Sequence, residues 1–167
     1  MKAMNIVMGC DEAAFELKEA VRAMLISDGH TVIDKGVYDK NPVAYPDIAA
    51  AACEEIISGR AERGILMCGT GIGMSISANK APGIRAAVCH DPFSAERSRK
   101  SNDAQVMCLG ARVIGTELAK YLVRLWLTCD FEGGGSTEKV EKIKQYERLY
   151  TRAGRNMMEG KDAKDCQ

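Results

Sequence analysis

Gly64-Ile65-Leu66-Met67-Cys68-Gly69-Thr70-Gly71-Ile72-Gly73-Met74-Ser75 turns from an apolar run into a glycine-rich loop and then into a helix-like segment. The run Gly64 to Cys68 reads as a strand buried on both faces, because it lacks the alternation of a half-exposed one. Gly69, Gly71 and Gly73 let backbone approach a ligand closely, and their amides can converge on an anion. The helix that follows adds the partial positive charge of its first turn. A thiol at the mouth of such a loop is expected to have a lowered pKa, leaving some thiolate near neutral pH. A thiolate beside an oxyanion-binding loop suits removal of a proton next to a carbonyl. Cys68 also has a plainer reading, as a small apolar residue closing a strand. The loop is not the Gly-x-Gly-x-x-Gly fingerprint and follows a third strand rather than a first, so a nicotinamide site is not expected. Taken alone, these residues describe an anion-binding α/β domain, with catalysis left open.

Outward from this segment, short apolar runs alternate with longer stretches of helical period. Met4 to Met8 reads as a first strand, and Ala13 to Ser27 as a helix with Phe15, Leu17, Val21, Met24 and Leu25 on one side. Thr31 to Asp34 is a second strand. Tyr45-Pro46-Asp47 opens an alanine-rich helix that stops at Ser58-Gly59. Ile84 to Cys89 is a fourth strand, Asp91-Pro92 starts a helix, Val106 to Leu109 is a fifth strand, and Gly115 to Cys129 a long amphipathic helix. Ser136 to Tyr150 reads as a last helix after a flexible Gly133-Gly134-Gly135, and residues 151–167 as a polar, poorly ordered tail. The alternation predicts one domain over residues 1–150, with a parallel sheet and helices on both faces. In such sheets ligands sit beyond the carboxyl ends of the strands. That rule selects Gly9 to Glu12, Cys68 to Gly73, and Cys89-His90-Asp91.

Composition narrows the class. Lysine plus arginine equals aspartate plus glutamate at 23 each among 167 residues, so no global field attracts nucleic acid or an anionic membrane. No stretch approaches the roughly 18 apolar residues of a membrane span. The opening MKAMNIVMGCDEAAF lacks the pattern of a secretory signal. Seven cysteines, several inside apolar runs and none in a CxxC or CxxH pair, argue against a disulfide framework or a zinc site. A soluble cytoplasmic chain without a metal or other cofactor is the expectation.

Cys68 to Lys80, with Pro82-Gly83-Ile84-Arg85-Ala86, closely resembles the signature of the ribose-5-phosphate isomerase B family, which includes the galactose-6-phosphate isomerase subunits. Gly9-Cys10-Asp11, Tyr45-Pro46, Ser98-Arg99, Asn102-Asp103 and Gly110 to Gly115 match further family blocks in order, covering about residues 4–150. The resemblance implies a Rossmann-like three-layer α/β/α sandwich with a five-stranded parallel sheet and an extended C-terminal helix. It implies a homodimer or homotetramer with active sites at the subunit interface, and metal-independent aldose–ketose isomerisation of a sugar phosphate through a cis-enediol. By position, Cys68 would move a proton between C1 and C2, while Thr70 and the amides of Gly69, Gly71 and Gly73 hold the enediolate oxygens. Asp11 and Asn102 would bind hydroxyls or the carbonyl, Tyr45 would line the pocket, and Arg112 would meet the phosphate from the partner subunit. Each has a plainer role as well: Asp11 as a helix cap, Asn102 as a turn residue, Tyr45 as packing, Arg112 as a surface charge.

The departures from the family pattern cluster on substrate-facing positions. Asp11-Glu12 stands where a typical member has Asp-His, and Ser101 where a histidine would open a furanose ring. Gly135 and Lys139 stand where two phosphate-binding arginines would be, and a lysine keeps the charge without the bidentate fork. A pentose 5-phosphate closes into a furanose through its C4 hydroxyl. A tetrose 4-phosphate has that hydroxyl esterified, cannot close, and needs no such histidine. Ribose 5-phosphate is therefore the first expectation from the family, a tetrose phosphate of the erythrose/erythrulose type the second. A binding protein that has kept the fold without the chemistry is a third. His90, at the end of the fourth strand, is either a stand-in acid or a packing residue.

Overall fold

The structure, a computed structural model, describes residues 2–162, and from residue 152 onward only the backbone. Contacts divide the chain into two units, Met1–Glu132 and Gly133–Gln167. The first holds β1 (Asn5–Cys10), α1 (Phe15–Ser27), β2 (Thr31–Asp34), α2 (Tyr45–Ile57), β3 (Arg63–Cys68), α3 (Ile72–Ala78), β4 (Ala86–Val88), α4 (Pro92–Lys100), β5 (Val106–Gly110) and α5 (Thr116–Leu127). A 3-10 turn, Glu12–Ala14, leads into α1. The second unit holds a 3-10 turn, Gly134–Ser136, and the helix α6, Thr137–Asp162. The glycine run thus forms a turn, with φ of +67° at Gly133 and +57° at Gly134. The backbone of α6 continues past Tyr150, through the first part of the expected tail, and residues 163–167 of that tail lie outside the described residues.

All neighbouring strands of the sheet run parallel, in the order β2-β1-β3-β5-β4. The expected parallel α/β sandwich is therefore present. Strand residues alternate between two cores, as a period of two requires. Ile6, Met8, Ile65, Met67, Met107 and Leu109 pack with Leu17, Val21, Leu122 and Trp126 of α1 and α5. Val7, Leu66, Cys68, Val106 and Cys108 pack with Ala49, Ala52, Cys53, Met74 and Ala78 of α2 and α3. Burying a side chain of this size contributes about 1.5–3 kcal/mol, so two such cores account for the sandwich. The small residues on α2 let it lie close to the sheet: a Cβ on Gly9 would meet Ile48 at 2.6 Å.

Asp91 caps α4 by accepting the Ser94 amide at 2.8 Å, with Pro92 in the first turn, as the sequence predicts. β4 is shorter than expected, because Ile84 is held in a turn, its amide donating to the Ala81 carbonyl at 3.1 Å. Asn79 explains the end of the central motif: its side chain donates to the Ala86 carbonyl at 2.8 Å and accepts the Ala86 amide at 2.9 Å. It fastens α3 to β4.

This strand order fixes where a ligand can sit. The chain leaves β1 for β2 on one side, then crosses to β3 on the other, so the connections diverge between β1 and β3. The crevice lies beyond their carboxyl ends. Asp11 follows β1 there, and Cys68 ends β3.

Candidate active site

Cys68 is 5% exposed and its sulfur accepts the Gly71 amide hydrogen at 3.0 Å. That bond fixes the sulfur at the mouth of the glycine loop. Four other thiols, Cys10, Cys53, Cys89 and Cys108, are packed within the two cores. Burial pushes Cys10, Cys53 and Cys89 up to about 11, and Cys108 higher still, so all four stay protonated at neutral pH. Gly71 must be glycine for two reasons. Its φ is +78°, and a Cβ would come within 3.0 Å of the Leu109 carbonyl carbon. The family resemblance implies that the Gly71 amide holds substrate oxygens; within this chain the hydrogen goes to the Cys68 sulfur.

Thr70 is exposed, and its Oγ1 accepts the Ile72 amide at 3.3 Å, leaving the hydroxyl hydrogen available. Beneath it lies Gly110, paired with Cys68 across the sheet; a Cβ there would stand 2.7 Å from the Thr70 carbonyl carbon. The segment after β5 is laced to the loop, with the Ala111 amide donating to the Cys68 carbonyl at 2.9 Å and the Arg112 amide to that of Gly69 at 3.0 Å. Those bonds bring the Arg112 guanidinium against Gly69, its Nε 3.5 Å from where a Cβ would be. Within the single chain Arg112 thus lies against its own glycine loop.

Asp11 follows β1, its amide donating to the Met67 carbonyl at 3.2 Å. Its side chain does not cap the turn that follows, and among the described residues its buried Oδ1 has no hydrogen-bond partner. Burial raises its pKa, Glu12 adds to the rise, and the amides of Ala14 and Ala13 and the charge of Arg112 oppose it. Glu12 accepts the Val43 amide at 3.4 Å, tying the 3-10 turn to the loop before α2. Behind Asp11, fully buried Lys18 donates to Asp34 at 2.6 Å and to the Val37 carbonyl at 2.8 Å. Gly36 and Val37 in turn bond both backbone groups of Cys10, at 2.7 and 3.0 Å. Tyr45, at the start of α2, lies over α3, and a Cβ on Gly73 would stand 2.7 Å from its ring Cζ.

Cys68, Thr70, Gly69, Gly71, Gly73, Tyr45, Asp11 and Arg112 thus gather at one end of the sheet. Ser101 and Asn102 do not. They close α4 ahead of β5, where the Asn102 carbonyl accepts from Arg85 Nε at 3.0 Å and the Ser101 hydroxyl accepts from Arg97. Arg85 and Arg99 hold Asp103 between them, at φ +49°. Residue 106 pairs with Gly64 and Gly110 with Cys68, so this loop lies at the amino edge of the sheet, more than about 13 Å from the sulfur. Lys139 is exposed in the first turn of α6, in the second unit. The role of His90 was open on sequence. Its Nε2 accepts the Gly110 amide at 2.9 Å, which makes it a brace between the ends of β4 and β5. No periodicity could show that bond.

Fold and site together define a parallel α/β enzyme of the sugar-phosphate isomerase type, built around a thiol and a glycine loop at the switch point. Residues 6–143 match the model of the Ribose/Galactose Isomerase family. The chain is 55% identical over 147 residues to the D-erythrulose-4-phosphate isomerase of Pectobacterium atrosepticum, covering 86% of this chain and 95% of that protein. It is 45% identical over 144 residues to the ribose-5-phosphate isomerase B of Escherichia coli, covering 86% and 97%. The solved ribose-5-phosphate isomerase B of Clostridium thermocellum superposes with a TM-score of 0.87 at 44% identity, over 88% of this chain and 99% of that one. The chain belongs to the Ribose/Galactose Isomerase family. It is an aldose–ketose isomerase, and its chemistry runs through the cis-enediol general to that family.

Proposed function

We propose that this chain interconverts D-erythrose 4-phosphate and D-erythrulose 4-phosphate, with Cys68 as the acid–base residue. The observation that carries the chemistry is the Gly71 amide directed at the Cys68 sulfur, at the crevice between β1 and β3. The thiolate takes the proton from C2 of the aldose, the C–H electrons form the C1–C2 double bond, and O1 takes the charge. A proton passes from O2 to O1, and the thiol returns its proton to C1, giving the ketose. Thr70 and the Gly69 and Gly73 amides face the developing oxyanion. Asp11, with its unpartnered Oδ1, accepts from a substrate hydroxyl. Arg112 takes the phosphate.

The tetrose is supported by Ser101, whose hydroxyl is engaged with Arg97 where a ring-opening histidine would be, and by the Pectobacterium relative. Ribose 5-phosphate, placed first on family frequency, is the second reading; it is supported by the relatives with that name at 45–47% identity. Glu12, engaged with Val43, has a loop-holding role rather than a substrate contact.

Two copies would complete each site. Ser101 and Asn102 lie too far from Cys68 to reach it within one chain, so a partner's Asn102 is needed at the pocket. Six free thiols among the described residues fit a reduced, cytoplasmic setting. Turnover measured on erythrulose 4-phosphate, ribose 5-phosphate and C6 aldose phosphates tests the assignment. A dominant kcat/KM on the pentose would overturn the tetrose, and no turnover on any would overturn both.

A further inference from the structure

The Gly110 amide is the last donor of β5, and its acceptor is not a strand but a side chain, His90 Nε2, at 2.9 Å. A nitrogen that accepts carries no hydrogen, so the neutral imidazole holds its proton on Nδ1. Gly110 occupies a junction. It sits opposite Cys68 in the register, a Cβ on it would stand 2.8 Å from the Thr70 carbonyl oxygen, and its own carbonyl accepts the Val113 and Ile114 amides. The two residues after it carry Arg112 to Gly69. Nothing else in the sequence at the end of β4 could make this bond: Cys89 is turned into the core and Asp91 caps α4.

We propose that His90 is a positioning residue of the isomerase site, fixing the end of β5 through Gly110 and thereby setting Thr70 and the Arg112 guanidinium over the glycine loop. This rests on the isomerase reading of that loop. In this role His90 acts through Gly110 and not on the substrate. Protonation at Nε2 would replace its acceptor with a second donor facing the Gly110 hydrogen, and the brace would be lost. Burial already opposes that protonation, while Asp91, the charged group that His90 feels, favours it. The bond is therefore made by the neutral form and broken in acid.

The test compares His90→Gln with His90→Ala. Glutamine places Oε1 where Nε2 stands, so it accepts the same hydrogen but does not titrate. His90→Ala is expected to lower kcat/KM by about 10- to 100-fold, the scale of a small misplacement of catalytic groups. His90→Gln is expected to recover most of that loss. Burial holds the His90 pKa below the ordinary histidine value, so the wild type should lose activity only on acidification beyond that range through this residue, and the glutamine variant should lack that component. Amide hydrogen exchange at Gly110 reads the brace without substrate, and should be fast in the alanine variant and protected in the other. Unchanged protection in His90→Ala, or a glutamine variant as impaired as the alanine one, overturns the proposal. Failure of the isomerase reading shows separately, as a wild type without turnover whose Gly110 still responds to residue 90.

Discussion

The Tyr45 side chain and the Gly73 backbone leave no room for a side chain between them, with ring Cζ and Cε2 at 2.7 and 2.8 Å and the hydroxyl oxygen at 2.9 Å from the position a Cβ would take. The pocket wall is thus set by the absence of one carbon. Gly73→Ala must displace the outer end of the ring, which is free to swing because Tyr45 is 38% exposed. The helix gains an alanine worth up to about 1 kcal/mol, roughly offsetting the overpacking. The expected outcome is a denaturation midpoint near that of the wild type with a KM raised several-fold. Tyr45→Ala in the same background should relieve the clash without restoring KM.

Cys68→Ala should abolish exchange of the C2 proton with solvent, lowering kcat by at least about 100-fold. Stability should change by about 1 kcal/mol or less, since the variant removes one small atom from an apolar cluster. Undiminished exchange would show that another group is the base.

Asp11→Asn separates activity from stability. Burial, then Glu12, holds the Asp11 pKa above its ordinary value. The folded chain therefore keeps a proton that the unfolded chain has released, and ionising Asp11 destabilises the fold as pH rises through the folded pKa. Asparagine should raise the melting temperature at neutral pH, with the gain vanishing in acid. It should also lower kcat/KM by about 10-fold or more, as a neutral amide replaces the charged acceptor of a substrate hydroxyl and puts a donor where one carboxylate oxygen stood. A melting difference that stays constant across pH would contradict the assignment.

Much of this was legible from residue order. The apolar run ending at Cys68, the Asp91-Pro92 cap and the five strands all rest on local signals that tertiary packing did not override. What local pattern cannot hold is strand order. Inserting β5 between β3 and β4 sets Gly110 beside Cys68, gives His90 its acceptor role and draws Arg112 onto Gly69. The same order sends Asn102 to the opposite edge of the sheet from Cys68. Gly71's hydrogen bond to sulfur is a matter of loop geometry, and a row of glycines does not say which amide points where.

Lys18→Met tests the support behind Asp11. It leaves Asp34, half-buried, without its buried cation and frees the Val37 carbonyl. Breaking such a pair costs about 3–5 kcal/mol. Urea denaturation should show a loss of that order, and Lys18→Met with Asp34→Asn should recover part of it. A loss below about 1 kcal/mol would mean that the 36–37 segment is held without Lys18.

Mixing two inactive variants tests the shared site. Cys68→Ala supplies an intact Asn102, and Asn102→Ala an intact Cys68, so a mixed dimer contains one complete pocket. Random exchange of an isologous dimer should restore about a quarter of wild-type sites. No recovery after refolding the two together would argue for pockets confined to single chains.

The distance between the Cys68 end of the sheet and the Asn102 end has a consequence for how the enzyme responds to scarcity. If each chain lends one pole and borrows the other, a solitary copy is a folded but idle protein. Dilution would then silence turnover while circular dichroism and melting behaviour still reported an intact sandwich.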